Sequence, residues 1–405
     1  MSVKFKEVFN GAVIVAALGY FVDIYDLVLF LVLGPKSLLA IGVPQEHVVS
    51  DFEYLLNVQM GGMLLGGIFW GILGDKRGRL SVLFGSIITY SLANVANGFV
   101  TNMDMYVLLR FVAGFGLAGE LGAGITLVSE VMSKENRGYG TMLVASIGVM
   151  GAVVAALVGE ADWRLAYWVG GGLGLSLLVL RIGVLESSLF AKAESGLVER
   201  GNFFSLFTNK QRAAKYIYCI LIGLPVWFII GKLVALSPEF AKELGVIGPI
   251  ARGQSVLLCY SGLVFGDLAS GLISQWLKSR KRAVSLFYGL SSVIVCLYLY
   301  LHGLSATNFY VMIFLLGFSV GYWAIFITIG SEQFGTNLRA TVATTVPNFV
   351  RGSLILITLA LNAFKSEFGM IGGTAFMAVV LMLVAFFSLQ ALPETFGKDL
   401  DYMEE

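Results

Sequence analysis

Stretches of roughly twenty apolar residues, each closed off by charged or turn residues, recur along this chain from one end to the other. A run of that length makes a helix about 30 Å long, the thickness of the hydrocarbon core of a bilayer. Twelve runs can be read, near 10–34, 53–74, 80–99, 104–128, 139–159, 163–185, 213–236, 251–276, 283–302, 308–330, 340–363 and 370–392. In lipid every backbone N–H and C=O must be satisfied inside the segment or in a closed barrel, so runs of this length predict helices. The expected fold class is an all-α membrane protein. Composition agrees, since 57% of the residues are hydrophobic and only 13% charged, about half the charge of a soluble domain. That balance excludes a soluble multidomain enzyme, and a net charge of +1 offers no field for nucleic acid. The polar segment Met1–Asn10 and the long first run, with two aspartates in it, suit a retained span better than a cleaved signal.

Loop charge orients the runs. Nineteen of the 27 Lys and Arg fall at the N-terminus, or in or within a few residues of the even-numbered gaps and tail, among them Lys76, Arg77, Arg79, Arg137, Arg181 and Arg280. Only Lys36, Arg164, Lys242, Arg252 and Lys365 occupy the odd-numbered gaps. Positively charged loops stay inside, so both termini are expected on the cytoplasmic side of an inner membrane. Arg110, Lys232 and Arg351 remain within the runs. The longest polar stretch, 186–212, divides the chain into an N-terminal bundle, 1–185, and a C-terminal bundle, 213–405, of six runs each. The bundles echo each other. Ser129-Glu130 with Arg137 recurs as Ser331-Glu332 with Arg339, and the Gly71–Arg79 loop has a weaker partner over Gly271–Arg282. Two similar halves are the plan of a rocking transporter with its site at their interface.

An ionisable side chain inside a span is costly and marks function by default. Helical rise puts Asp26 and Arg110 at nearly the same depth, both in the outer half of the core, with Asp23 one turn deeper on the same helix. Either aspartate is expected to pair with Arg110 across a crevice. Titration of the carboxyl would release the pair, which is a coupling mechanism; a permanent structural salt bridge is the plainer alternative. Glu120, among Gly119, Gly122 and Gly124, is a second proton site or the partner of a donor within the first bundle. In the second bundle Arg351 is expected to face the cavity and meet an anionic group of the substrate, with Asn348 one turn before it and Asp267 about 10 Å away in level. Tyr25, Trp227, Tyr322 and Trp323 are candidate lining residues, and Lys232 is expected to snorkel to the interface. Asp75, Arg79, Glu130 and Arg137, at the inner ends of spans two to five, are expected to hold the inner face shut as a charge and dipole network. The sequence offers no metal-ligand spacing and no nucleophile motif, so neither an enzyme nor a metal cofactor is expected.

These motifs resemble those of the major facilitator superfamily. The Gly71–Arg79 loop resembles its GxxxDRxGRR loop. Asp23-Ile-Tyr-Asp26 resembles the Glu-Trp-Tyr-Asp of the first span in its metabolite:proton symporter branch, which places an acid at Asp26 and favours it over Asp23. Arg110 to Gly114, Gly116, Gly119 to Ala123 and Glu130 resemble the fourth-span signature of that branch, and Pro393 to Gly397 the PETKG tail of sugar porters. Gln275 departs from the pattern, where the second loop copy usually has an acid, so a weaker latch is expected in the second half. The resemblance implies a monomeric transporter that takes up a small organic metabolite with protons by alternating access. Three embedded cations favour a carboxylate-bearing substrate: an amino acid, an organic acid or a carboxylate chelate such as a siderophore. A sugar:proton symporter and a proton-driven efflux antiporter are the alternatives.

Overall fold

The computed structural model describes residues 11–132, 137–159, 162–185, 203–335 and 337–398. Fifteen helices of at least five residues carry the described chain: α1 Gly11–Ala40, α2 Val48–Arg77, α3 Arg79–Asn97, α4 Met103–Leu117, α5 Glu120–Val131, α6 Arg137–Val158, α7 Trp163–Leu185, α8 Lys210–Leu221, α9 Leu224–Phe228, α10 Ser237–Glu243, α11 Arg252–Leu277, α12 Arg280–Tyr300, α13 Ala306–Ser319, α14 Trp323–Glu332 and α15 Arg339–Ala391. Among the described residues, ten helical segments are long and apolar enough to cross a membrane. One of them, Thr341–Ala391, is 51 residues long and turns at Gly369, whose φ of 70° breaks the helical path. The protein is a multi-pass membrane protein.

Local sequence explains where the helices stop. Asn102 accepts from Met105 N, Asn209 from Gln211 N, Ser279 from Arg282 N and Ser305 from Asn308 N, each capping a helix start. The apolar run read as 104–128 is two helices, α4 and α5, parted at Ala118 and Gly119. The run read as 308–330 is likewise split into α13 and α14 around Gly321. Span seven is broken too, by a π-helical turn over Ile229–Val234. The stretch expected as a polar connection over 186–212 lies outside the described residues up to 202. From Phe203 it forms a 3-10 turn that buries Phe203 against Tyr216 and Phe349.

Two helix crossings repeat in the two parts of the chain. An added methyl at Gly62 or Gly66 of α2 would strike the Phe111 or Phe115 carbonyl of the α4 span, and one at Gly262 or Gly266 of α11 would strike Phe314 or Phe318 of α13. Small residues let backbones meet this closely, which is how helices associate in lipid. The parts before and after 186–202 touch at both ends of the bundle. At one end Thr341 N donates to Asp75 Oδ2 at 2.9 Å, and Thr328 approaches Thr141 at 3.5 Å. At the other, Lys232 Nζ meets Glu53 Oε1 at 2.6 Å, Thr358 donates to Asn57 at 3.4 Å, and Arg252 lies 4.8 Å over the Phe52 ring. Between these two contact zones Tyr20, Asp23, Asp26, Arg110 and Arg351 are all buried.

Candidate functional site

The enclosed centre is built on α1, whose residues Tyr20, Asp23 and Asp26 are all buried. Asp23 and Asp26 lie one turn apart, yet they serve different partners. Asp23 Oδ2 is 4.0 Å from Arg351 Nη2, an ion pair joining α1 to α15. At that separation and an effective dielectric near 20, the attraction is roughly 4 kcal/mol. Arg351 Nη1 donates to Asn348 Oδ1 at 3.3 Å, and Asn348 Nδ2 donates in turn to the carbonyls of Ala118 and Thr344 at 2.8 and 2.7 Å. Trp227 and Trp323 hold their rings 5.9 and 5.7 Å from the guanidinium carbon. Trp323 Nε1 donates to Tyr20 Oη at 2.9 Å. The Nε and Nη2 positions of Arg351 and both Asp23 oxygens make no hydrogen bond. A guanidinium presents Nε and one Nη as the edge that takes a carboxylate bidentately.

Asp26 faces the other way. Its Oδ1 lies against the Cα of Gly170 in α7, where a methyl group would occupy its place. It is close enough to Arg110 to feel its charge, but no ion pair within 4.0 Å joins them and neither Asp26 oxygen has a hydrogen-bond partner. The expected Asp–Arg110 bridge is therefore corrected. Asp23 is taken by Arg351, and Arg110 instead donates to Asn97 Oδ1 and Asn94 Oδ1, each at 3.3 Å. Its guanidinium sits in an aromatic cage of Phe30, Tyr106 and Tyr167, at 5.3, 5.9 and 5.0 Å, an arrangement that offsets part of its burial cost.

Glu120 is paired within the first part of the chain. Arg181 donates to it bidentately at 2.9 and 2.7 Å, and Ser86 Oγ adds a third bond at 3.0 Å. Arg181 was grouped above with the loop cations. It is fully buried instead, because α7 continues beyond the level where the apolar run thins. Lys232 does not snorkel. The π turn carries it inward to Glu53 of α2, and the ammonium is buried there. Asp267 Oδ1 accepts from Ala324 N at 3.0 Å, capping the first turn of α14 after the helix break, while Oδ2 has no partner. Tyr25 donates to the Ala166 carbonyl at 3.0 Å. Tyr322 packs edge-on to Tyr288 and reaches the Ile222 carbonyl at 3.5 Å. Neither tyrosine is brought to Arg351 by these contacts.

At the opposite level, Asp75 accepts from the backbone and hydroxyl of Thr341 and so caps the start of α15. The side chains of Arg79, Glu130 and Arg137, expected to complete that network, lie outside the described ones. Sequence reasoning missed a lock within the second half there. Glu394 of the tail accepts from Ser279 Oγ and from the backbone N–H groups of Arg280 and Lys281, and so sits on the N-terminus of α12. Lys281 Nζ donates to the carbonyls of Gln390 and Leu392, Gln333 Nε2 to that of Pro393, and Arg280 pairs with Glu332 at 3.6 Å. The tail motif was a signal for this lock, but it did not say what the glutamate would touch.

The sequence model of the Major Facilitator Superfamily matches residues 16–358. The probable 4-methylmuconolactone transporter of Cupriavidus pinatubonensis is 26% identical over 400 residues, covering 96% of this chain and 91% of its own. The niacin transporter NiaP of Acinetobacter baylyi is 27% identical over 336 residues, covering 72% and 73%. Among solved structures, the proton:xylose symporter XylE superposes with a TM-score of 0.70 at 14% identity, over 96% of this chain and 97% of that one.

Proposed function

This chain belongs to the Major Facilitator Superfamily and is a transporter rather than an enzyme; from that premise we propose that it imports a small carboxylate-bearing metabolite together with protons. In this reading twelve spans form two six-helix halves, 1–185 and 213–405, that rock about the centre, with both termini on the cytoplasmic side of an inner membrane and the chain acting as a monomer. The end bearing Asp75 and Glu394 then faces the cytoplasm, and the end bearing Glu53 and Lys232 faces out.

One observation carries the reading: the bidentate edge of a buried arginine, Arg351, is unfilled between two tryptophans, with Asp23 at 4.0 Å as its one ion-pair partner among the described residues. A charged Asp23 holds Arg351 for itself. Once Asp23 takes a proton the attraction vanishes, and the Nε and Nη2 donors are free for a substrate carboxylate. Proton and substrate therefore favour the same state, which is what symport requires. The tryptophan faces would cover a flat ring attached to that carboxylate. The names of the two relatives given above fit, since both 4-methylmuconolactone and niacin are small ring acids. Asn348 positions Arg351, and Asp26 with Arg110 forms a second titratable site inside the first half. The bidentate bond to Arg181 supports a structural role for Glu120 rather than a coupling one.

Uptake into proteoliposomes tests this, with nicotinate, 3-phenylpropionate, succinate and xylose as probes under an acid-outside gradient. Accumulation of a carboxylate is expected. Asp23→Asn should abolish gradient-driven uptake while retaining counterflow exchange. Arg351→Lys loses the fork and should raise KM by about tenfold to a hundredfold, the worth of one or two charge-assisted hydrogen bonds. Extrusion under the same gradient, or accumulation of xylose alone, would sink the proposal.

A further inference from the structure

A line of three buried hydroxyls is left over by the mechanism just described. Ser37 Oγ and Tyr106 Oη are 2.8 Å apart, Tyr106 Oη and Tyr167 Oη are 2.8 Å apart, and all three residues are buried. The chain begins beside exposed Lys36, near the end of α1 that the proposed topology places outside. It ends on Tyr167, one helical turn before the Gly170 that the Asp26 carboxylate touches. Tyr106 stands between two hydroxyls, and in each of those bonds either oxygen can be the donor. Ser37 Oγ also donates to the Gly34 carbonyl at 2.8 Å, so the resting line points outward, and it reverses when that hydroxyl rotates towards Tyr106. Tyr167 is close enough to Asp26 to feel its charge, and the two buried Asp26 oxygens make no hydrogen bond within 3.5 Å.

We infer that Ser37, Tyr106 and Tyr167 form a proton relay between the outer mouth and Asp26, running inside the first half and bypassing the Arg351 site. The step balances without redox chemistry. A proton arriving at Ser37 Oγ displaces the hydroxyl proton to Tyr106. The Tyr106 proton moves to Tyr167, and the Tyr167 proton ends on an Asp26 oxygen. Each hydroxyl keeps one proton, and rotation about the C–O bonds resets the line. The groups that surround Asp26 are Asp23 and Tyr25 on α1, Tyr90 and Asn94 on α3, Arg110 on α4 and Tyr167 on α7. Arg110, caged against the Tyr106 and Tyr167 rings, disfavours an excess proton resting on the line and so favours its passage to the carboxylate. A route of this kind lets Asp26 load while substrate occupies Arg351. The inference rests on the proton-coupled reading above and deepens it.

The test separates rate from equilibrium and needs no substrate. In the purified full-length protein, the protonated carboxyl band of Asp26, identified by its loss in Asp26→Asn, is followed by infrared difference spectroscopy after a pH drop. Tyr106→Phe, Tyr167→Phe and Ser37→Ala should each slow its appearance by about tenfold or more, while the midpoint of the equilibrium titration stays in place. Tyr288→Phe, which removes a buried hydroxyl bonded to the Ile222 carbonyl, should leave the rate unchanged. Unaltered rates in the three variants, or rates that move only in step with the midpoint, would overturn the relay. If Asp26→Asn removes no band, the relay has no terminus and is overturned as well. The symport reading is judged separately, by whether the unaltered protein accumulates a carboxylate under a proton gradient.

Discussion

Single residues show how narrowly this protein allots its charges. Asp23 and Asp26 differ by three positions, about 60° around the helix axis. That rotation is enough to send one carboxylate to α15 and the other towards α4 and α7. Sequence depth was readable: Asp26 and Arg110 do share a level, and so do Asp23 and Arg351, at about 19 and 17 Å from the inner ends of their runs. Azimuth was not readable, because one helix does not say which neighbour its faces meet. The partners of Asp23 and Glu120 were therefore beyond reach. Arg181 was misjudged because a buried cation near the end of a span looks, in sequence, like a loop cation. Glu394 permits a test at this scale. Partial burial pushes its carboxyl up, but bonds from Ser279 Oγ and the N–H groups of Phe396, Arg280 and Thr395 outweigh that and leave it below the usual range. A depressed carboxyl contributes stability above its unfolded value of about 4.3, lost as pH falls through the lower folded value. Thermal melts of the protein and of Glu394→Gln should differ steadily from pH 8 to pH 5 and converge below about pH 4. Because the group is exposed, the difference should stay under about 1 kcal/mol. A gap that widened in acid would contradict the sign.

At the scale of elements, the apolar runs were legible because lipid demands long, continuous hydrophobic helices. The breaks inside spans four, seven and ten were not, since hydropathy stays high across them. In spans four and ten a glycine marks the break, Gly119 and Gly321. These two lie 202 positions apart, the same offset as the Ser-Glu pairs. The repeated crossings make a stability prediction. Gly62→Ala and Gly262→Ala each force a methyl into a facing backbone carbonyl and should cost about 1–3 kcal/mol in unfolding assays in detergent. Gly172→Ala, where an added methyl meets nothing within 4 Å, should be neutral or stabilising by up to about 1 kcal/mol. Equal effects at the three positions would mean that the crossings are not tightly packed.

At the scale of the molecule, both ends are shut by contacts of different kinds. The Asp75 end is closed by a carboxylate seated on the start of α15 at Thr341 and by the approach of Thr328 to Thr141. The Glu53 end is closed by the Lys232 ion pair and the Arg252–Phe52 stack. Losing one partner of a pair this buried costs about 3–5 kcal/mol, somewhat less here because Glu53 keeps some exposure. Lys232→Met should therefore shift the population towards the state open at that end by about tenfold or more. The readout is labelling of an Asn57→Cys reporter by a membrane-impermeant maleimide, faster in Lys232→Met than in the parent. Unchanged labelling would show that the pair does not hold that end shut.

The mid-span pairing of Asp23 with Arg351 has a consequence for leakage under the proposed proton coupling. Neutralising one member of a buried ion pair leaves the other uncompensated, at a cost of several kcal/mol. A carrier with a proton on Asp23 but no carboxylate on Arg351 would therefore meet a barrier that a fully loaded one does not, and the gradient would not be squandered on idle turnovers.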